Sequence, residues 1–168
     1  MSLLVLIFAL LVGAVLQSVL PSPGWLGHAP FPMLLGLVLY YALLGTRSQT
    51  LWAALLAGLV SDALELVPLG YTSFAYLLAG LAARHFREVV MARQWTTHLL
   101  FGAAAHAGTT ALCFVLLLQS DRPALSWATG LGRVAGALVT GSLAVPLVCG
   151  LLLKLERTLG HRPREEST

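Results

Sequence analysis

Two carboxylates, Asp62 and Glu65, stand inside the apolar stretch GLVSDALELVPLGY, residues 58 to 71. Three residues apart, they share one face of a helix. Arg133 lies inside a second apolar run and His106 inside a third. An acid pair, a guanidinium and an imidazole in hydrophobic surroundings can form a register-fixing ion pair, hold a ligand or partner, or relay a proton. A charge in mid-bilayer costs at least about 2.5–3.5 kcal/mol, so each needs a partner, water or a bound proton, and each is a candidate functional position. Catalysis would need a nucleophile beside a base, or a metal triad. The sequence offers neither, and no second His or Cys stands at ligand spacing from His106. We therefore expect no enzyme activity, no metal and no cofactor.

These groups must be positioned by helices in lipid. Of the 168 residues, 58% are hydrophobic and 10% charged, against about 25% charged in a soluble domain. So few charges do not cover a water-facing surface, and the composition implies an integral membrane protein. The net charge of +3 does not point to nucleic acid, because the basic residues lie between and after apolar runs rather than in a patch. The N-terminal MSLLVLIFALLVGAVLQSVLPSPG lacks the basic start and short apolar core of a signal peptide and is read as a retained helix.

Six apolar segments follow, bounded by Pro, Gly or charge: Ser2–Leu20, Phe31–Gly45, Thr50–Val67, Tyr71–Ala83, Trp95–Gln119 and Trp127–Leu153. The expected fold is all-α, with six transmembrane helices and short loops over residues 1–155 and a charged cytoplasmic tail over 156–168. The second and fourth segments are short against the roughly 20 residues of a span. With six crossings, eight basic residues fall in the even-numbered connections and tail, and Arg122 alone in the outer loops. The positive-inside rule then places both termini in the cytoplasm. Tryptophan favours the membrane boundary; Trp52 and Trp95 lie at the inner one, Trp25 and Trp127 at the outer. Cys113 and Cys149 read as small buried apolar side chains near opposite surfaces, too distant for a disulfide. RHFREVVMARQW, residues 84 to 95, reads as a short basic helix on anionic headgroups.

Within this topology Asp62 and Arg133 both lie about 8–9 Å below the outer boundary at 1.5 Å per residue. The matched depth predicts a direct contact or a shared water network between them; His106, nearer the midplane, could join it, and Glu65 is near the surface. Pro68-Leu69-Gly70 ends the third helix and turns tightly into the fourth, with Gly70 taking a positive φ. Small residues four apart (Ala9/Gly13, Ala54/Gly58, Ala75/Ala79, Ala103/Ala107, Gly132/Gly136) let helix backbones approach closely. The outer connections are too short to form an extracytoplasmic domain, so action outside must pass through a partner.

Gly58-Leu59-Val60-Ser61-Asp62, then Pro68-Leu69-Gly70-Tyr71 and a small-residue-rich helix leading to Arg84, resembles the signature region of the rod shape-determining protein MreD family. The specific match covers about 30 residues; the rest agrees in size and hydropathy. The resemblance makes Asp62 the family's acidic position and Pro68, Leu69 and Gly70 its turn, and leaves Glu65 and Arg133 outside the motif. It implies a fold like the substrate-binding S-components of energy-coupling-factor transporters. It further implies a non-enzymatic scaffold of the bacterial cell-elongation machinery in the inner membrane. Its partners would be an MreC-like protein with one membrane helix and, beyond it, an MreB-like filament and the elongation glycan polymerase with its penicillin-binding protein. The other reading is the substrate-binding subunit of a vitamin-type membrane transporter, which requires a pocket with a few convergent polar groups.

Overall fold

A helix that is apolar on every side has no face to give to water and must be enclosed. MLLGLVLYYALL, residues 33 to 44, is such a segment, and every residue from Leu34 to Leu43 is buried. In the computed structural model, which describes residues 3–20, 30–65, 68–87, 95–118 and 127–158, it forms α2 (Met33–Leu44) at the centre of a bundle. Around it stand α1 (Leu3–Val19), α3 (Arg47–Glu65), α4 (Tyr71–His85) and α6 (Trp127–Thr158); α5 (Trp95–Leu118) packs on α4 and most extensively on α6. The described residues contain no strand.

Among the described residues the architecture is all-helical, as expected, with six helices close to the expected limits. Two of them are long and apolar enough to cross a membrane, over Leu99–Leu118 and Gly130–Leu152. α1 and α2 are apolar but shorter, over Leu6–Val19 and Met33–Leu44. The largest boundary differences have local causes. α3 begins at Arg47 rather than Thr50 because Thr46-Arg47-Ser48-Gln49 is a capping box. The Thr46 N–H donates to Gln49 Oε1 (3.0 Å) and the Gln49 N–H to Thr46 Oγ1 (3.4 Å). α6 continues past the expected limits at Leu153 and residue 155 to Thr158, carrying Pro146 within it. The proposed headgroup helix (its residues 88–94), the two outer loops with Trp25, and tail residues 159–168 lie outside the described residues.

The end of the bundle where α2 and α4 stop is tied by one side chain. Arg84 Nη1 donates to the Gly45 carbonyl (3.0 Å), at the C-cap of α2, where a cation also meets the negative end of the helix dipole. Thr50 Oγ1 donates to the Tyr41 carbonyl nearby (2.9 Å). Arg84→Ala should therefore destabilise the bundle by about 1.5–3 kcal/mol, the usual scale for a hydrogen bond to a charged group. Unfolding in mixed detergent micelles would measure it.

Outward faces are apolar. Phe8, Leu11 and Val15 of α1, Phe74 of α4, Leu100 of α5, and Leu131, Leu143 and Leu147 of α6 are all exposed. Trp52, near the start of α3, and Trp127, at the start of α6, are exposed at opposite ends of the bundle.

The small-residue pattern is realised unevenly. Gly13 faces Leu34 of α2, with 3.3 Å between an added Cβ and Leu34 Cδ2. Gly58 lies against the Ser73 backbone, where an added Cβ would stand 2.6 Å from the Ser73 nitrogen. Gly136 is buried. Gly132 corrects the expectation: it is exposed, with nothing within 4 Å of an added Cβ. The α5–α6 seam instead runs through Gly102 and Gly141, where a Cβ on either residue would meet the other's carbonyl oxygen at 2.7 Å. Four-residue spacing selects a helix face but does not say which face meets a neighbour.

Candidate functional site

Two polar constructions occupy the end of the bundle formed by the last turns of α3 and α5 and the first turns of α2, α4 and α6. The first is a closed unit around Asp62. The α4 N-terminus presents unpaired backbone N–H groups, and Gly70, its N-cap residue, has no side chain to serve them. Asp62 reaches across from α3 instead. The Gly70 N–H donates to Oδ2 (2.7 Å), the Thr72 N–H to Oδ1 (2.9 Å) and the Ser73 hydroxyl to Oδ2 (3.4 Å). The carboxylate is 0% exposed, yet it has three donors and sits at the positive end of the α4 dipole. The geometry needs the turn that the sequence specifies: Gly70 has φ 104°, in the left-handed region. It also needs Gly58 one helical turn earlier on α3, because any side chain there would push the Ser73 backbone away.

The expected direct contact between Asp62 and Arg133 is not formed. Matched depth brought both residues to the correct end of the bundle, but depth says nothing about azimuth. Asp62 points to the start of α4 and has its donors there. Arg133 lines a neighbouring cleft, which it shares with the Glu65 carboxylate.

That cleft is the second construction. Its volume is about 110 Å³, and it is lined by Pro30 before α2, Glu65 of α3, Thr72 and Tyr76 of α4, Arg133 of α6 and the α5 residues His106, Thr109, Thr110, Cys113, Phe114 and Leu117. Glu65 is exposed, as expected, and Arg133 half-buried. His106 is 5% exposed and does join this group of residues. Its Nδ1 lies 3.0 Å from the Ala137 carbonyl and 3.1 Å from Thr140 Oγ1. A carbonyl only accepts, so Nδ1 carries the proton, while the Thr140 hydroxyl donates to the Gly136 carbonyl (3.1 Å). Nε2 is left as the second ring nitrogen, with no bond to a described residue.

Several polar residues here were not singled out from the sequence. Gln17 of α1, buried, donates to Ser61 Oγ (3.4 Å) and accepts from the Leu34 N–H (3.4 Å). Ser61 in turn lies 3.4 Å from the Tyr76 hydroxyl, at the cleft wall. A buried polar chain thus runs from α1 to the cleft. A glutamine in an apolar first helix was the available signal; Ser, Thr and Tyr are too common in such helices to stand out.

Cys113 and Cys149 are free and half-buried. Cys113 lines the cleft, with Sγ 4.0 Å from Thr72 Oγ1, and Cys149 packs against the core. Among the described residues, no three of His, Cys, Asp and Glu gather where they could hold a metal ion. A second hollow, of about 250 Å³, lies between α4 and α5 and is lined largely by alanines and Gly108. Comparison with protein-family models, curated proteins and solved structures finds no match.

Proposed function

We propose that this chain is a multi-pass protein of the bacterial inner membrane, a non-enzymatic scaffold of the MreD type, with six crossings and both termini in the cytoplasm. The observation that carries this reading is the Asp62 unit. Gly58, Asp62 and Pro68-Leu69-Gly70, the residues on which the resemblance rests, are neighbours in space and serve one purpose: they lock α3 and α4 into a hairpin. A motif whose members interlock this way is explained by fold rather than by chemistry, which suits a scaffold.

The membrane reading draws support from the apolar outer faces and the two long apolar helices. The short helices are not an obstacle to it. α2 is enclosed by protein from Leu34 to Leu43, so it need not reach the headgroups on either side. The charge split between the loops supports cytoplasmic termini. A fold like that of the transporter S-components belongs to the same proposal.

A bundle of this kind influences a partner by binding one of its states more tightly than another. The partner expected is an MreC-like protein with a single membrane helix, and through it the MreB-like filament and the glycan-polymerising enzymes. Tagged full-length chain, crosslinked in its own membranes and then solubilised, should bring down one single-span protein with a large extracytoplasmic domain. Recovery of the same proteins as an unrelated six-span control would refute the scaffold reading.

The transporter reading has one observation in its favour, the convergence of Glu65, His106 and Arg133 on a cleft. The cleft's volume of about 110 Å³ is well below the roughly 300–1,000 Å³ of sites for drug-sized ligands, which weighs against a vitamin-sized ligand.

A further inference from the structure

Arg133 stands about six residues into α6, near 9 Å from the helix start at 1.5 Å per residue. A guanidinium has five N–H donors and no acceptor atoms, and at this depth it needs acceptors. Among the described residues none lies within hydrogen-bond or ion-pair reach of it, and Glu65 lines the same cleft without closing to contact. Glu65 likewise has no donor within reach among the described residues. Asp62, the other carboxylate nearby, is already held by three donors. Two opposite charges therefore line one cleft without meeting: Arg133 is on α6 and Glu65 at the end of α3, and side chains of α4 and α5 complete the lining. Next to them the half-buried Thr110 offers a hydroxyl, and His106 offers Nε2, its Nδ1 proton being fixed on the Ala137 carbonyl.

We propose that this cleft binds a small zwitterion, its oxyanion on the Arg133 guanidinium and its ammonium on the Glu65 carboxylate, with His106 Nε2 as a further acceptor for the ammonium. The guanidinium fork matches a phosphate or carboxylate oxygen pair. A cleft of about 110 Å³, below the roughly 300–1,000 Å³ of sites for drug-sized ligands, suits a small, headgroup-sized molecule. The chemistry is shared by a phosphoethanolamine lipid headgroup entering from the bilayer and by a free zwitterion entering from outside. This site goes beyond the scaffold reading and does not depend on any protein partner.

The test uses the purified full-length chain in detergent, with native mass spectrometry reading bound ligand. The probes are short-chain phosphatidylethanolamine, short-chain phosphatidylglycerol and free O-phosphoethanolamine. The unmodified chain should bind the ethanolamine lipid about tenfold more tightly than the glycerol lipid, the scale of one charge-assisted hydrogen bond. Glu65→Gln should remove that preference, weakening ethanolamine-lipid binding by about tenfold. Arg133→Gln should weaken both lipids by about tenfold or more. Glu65 is exposed, so its variant keeps the packing and reads the site even if Arg133→Gln fails to fold. Binding of free O-phosphoethanolamine comparable to that of the lipid assigns the source to a soluble zwitterion; binding of the lipid alone assigns it to the headgroup; either supports the site. Equal binding of the two lipids by the unmodified chain, or ethanolamine-lipid binding that Glu65→Gln leaves untouched, overturns it.

Discussion

Asp62→Ala should cost the bundle about 3 kcal/mol or more, measured as a shift in unfolding in mixed detergent micelles. Its carboxylate serves two backbone N–H groups and a hydroxyl at the start of α4. Leaving a buried donor without an acceptor costs about 1–3 kcal/mol each, and Gly70 has no side chain to substitute. Asp62→Asn should fall between the two, because one carboxamide oxygen remains but its NH2 then faces an N–H. Arg133→Ala should behave differently, shifting stability by under about 1 kcal/mol, since no described residue is bonded to it. This reverses the expectation from matched depth, under which the two substitutions behave alike. Equal losses from Asp62→Ala and Arg133→Ala would restore the buried pair and remove the helix-capping account.

The second large effect is expected at Gly58. A methyl group there meets the Ser73 nitrogen at 2.6 Å and the Ser73 hydroxyl oxygen at 2.8 Å. The nearest atoms belong to backbone, which cannot swing aside as a flexible side chain would. Gly58→Ala must push α4 away from α3, and in doing so it lengthens the hydrogen bonds that Asp62 receives. We expect a loss of about 2–4 kcal/mol, within the range of overpacking combined with a weakened buried network. Gly132→Ala is the natural control. Gly132 also lies in a small-xxx-small pair, but it is exposed and its added Cβ meets nothing within 4 Å. That change should be neutral or slightly stabilising, because alanine is the better helix former. If both substitutions destabilise alike, the pattern of small residues matters in some way other than helix–helix contact.

The comparison of these two glycines shows what a sequence of this kind reveals. Apolar runs punctuated by Pro, Gly and charge locate helices well, because both the runs and their breaks are local. Pro68-Leu69-Gly70 was readable as a turn with a positive φ at Gly70 for the same reason, and the structure has it. The Thr46–Gln49 capping box was equally local and would have moved the start of α3 to its true place. Azimuth was not readable. Asp62 and Glu65 share a helix face by spacing, yet one is enclosed at the α4 N-terminus and the other lies at the mouth of a cleft. Their separate fates depend on how α4, α5 and α6 rotate about their axes, which no spacing within α3 records. His106, read from the sequence as nearer the midplane and able to join the polar group, lines the same cleft as Glu65 and Arg133 but bonds to neither. Its anchors, Ala137 and Thr140 on α6, depend on the Gly102–Gly141 seam, which the choice of Gly132 missed.

The division between the Asp62 unit and the cleft also separates stability from binding. Residues of the family-like motif are engaged with one another, so substituting them tests the fold. Arg133, Glu65 and His106 lie outside that motif and face open space, so substituting them tests recognition.

The central claim is a lipid-embedded bundle whose α3–α4 turn faces outward and whose α2–α3 connection faces the cytoplasm. Cysteine accessibility in spheroplasts tests it most directly, in a background where Cys113 and Cys149 are replaced by serine or alanine. Leu69, 73% exposed at the tip of the turn, and Ser48, exposed at the start of α3, are the two reporter positions. With a membrane-impermeant maleimide, Leu69→Cys should label in intact spheroplasts and Ser48→Cys only after the membrane is opened. Labelling of both positions without permeabilisation, or of Ser48→Cys alone, would contradict the account.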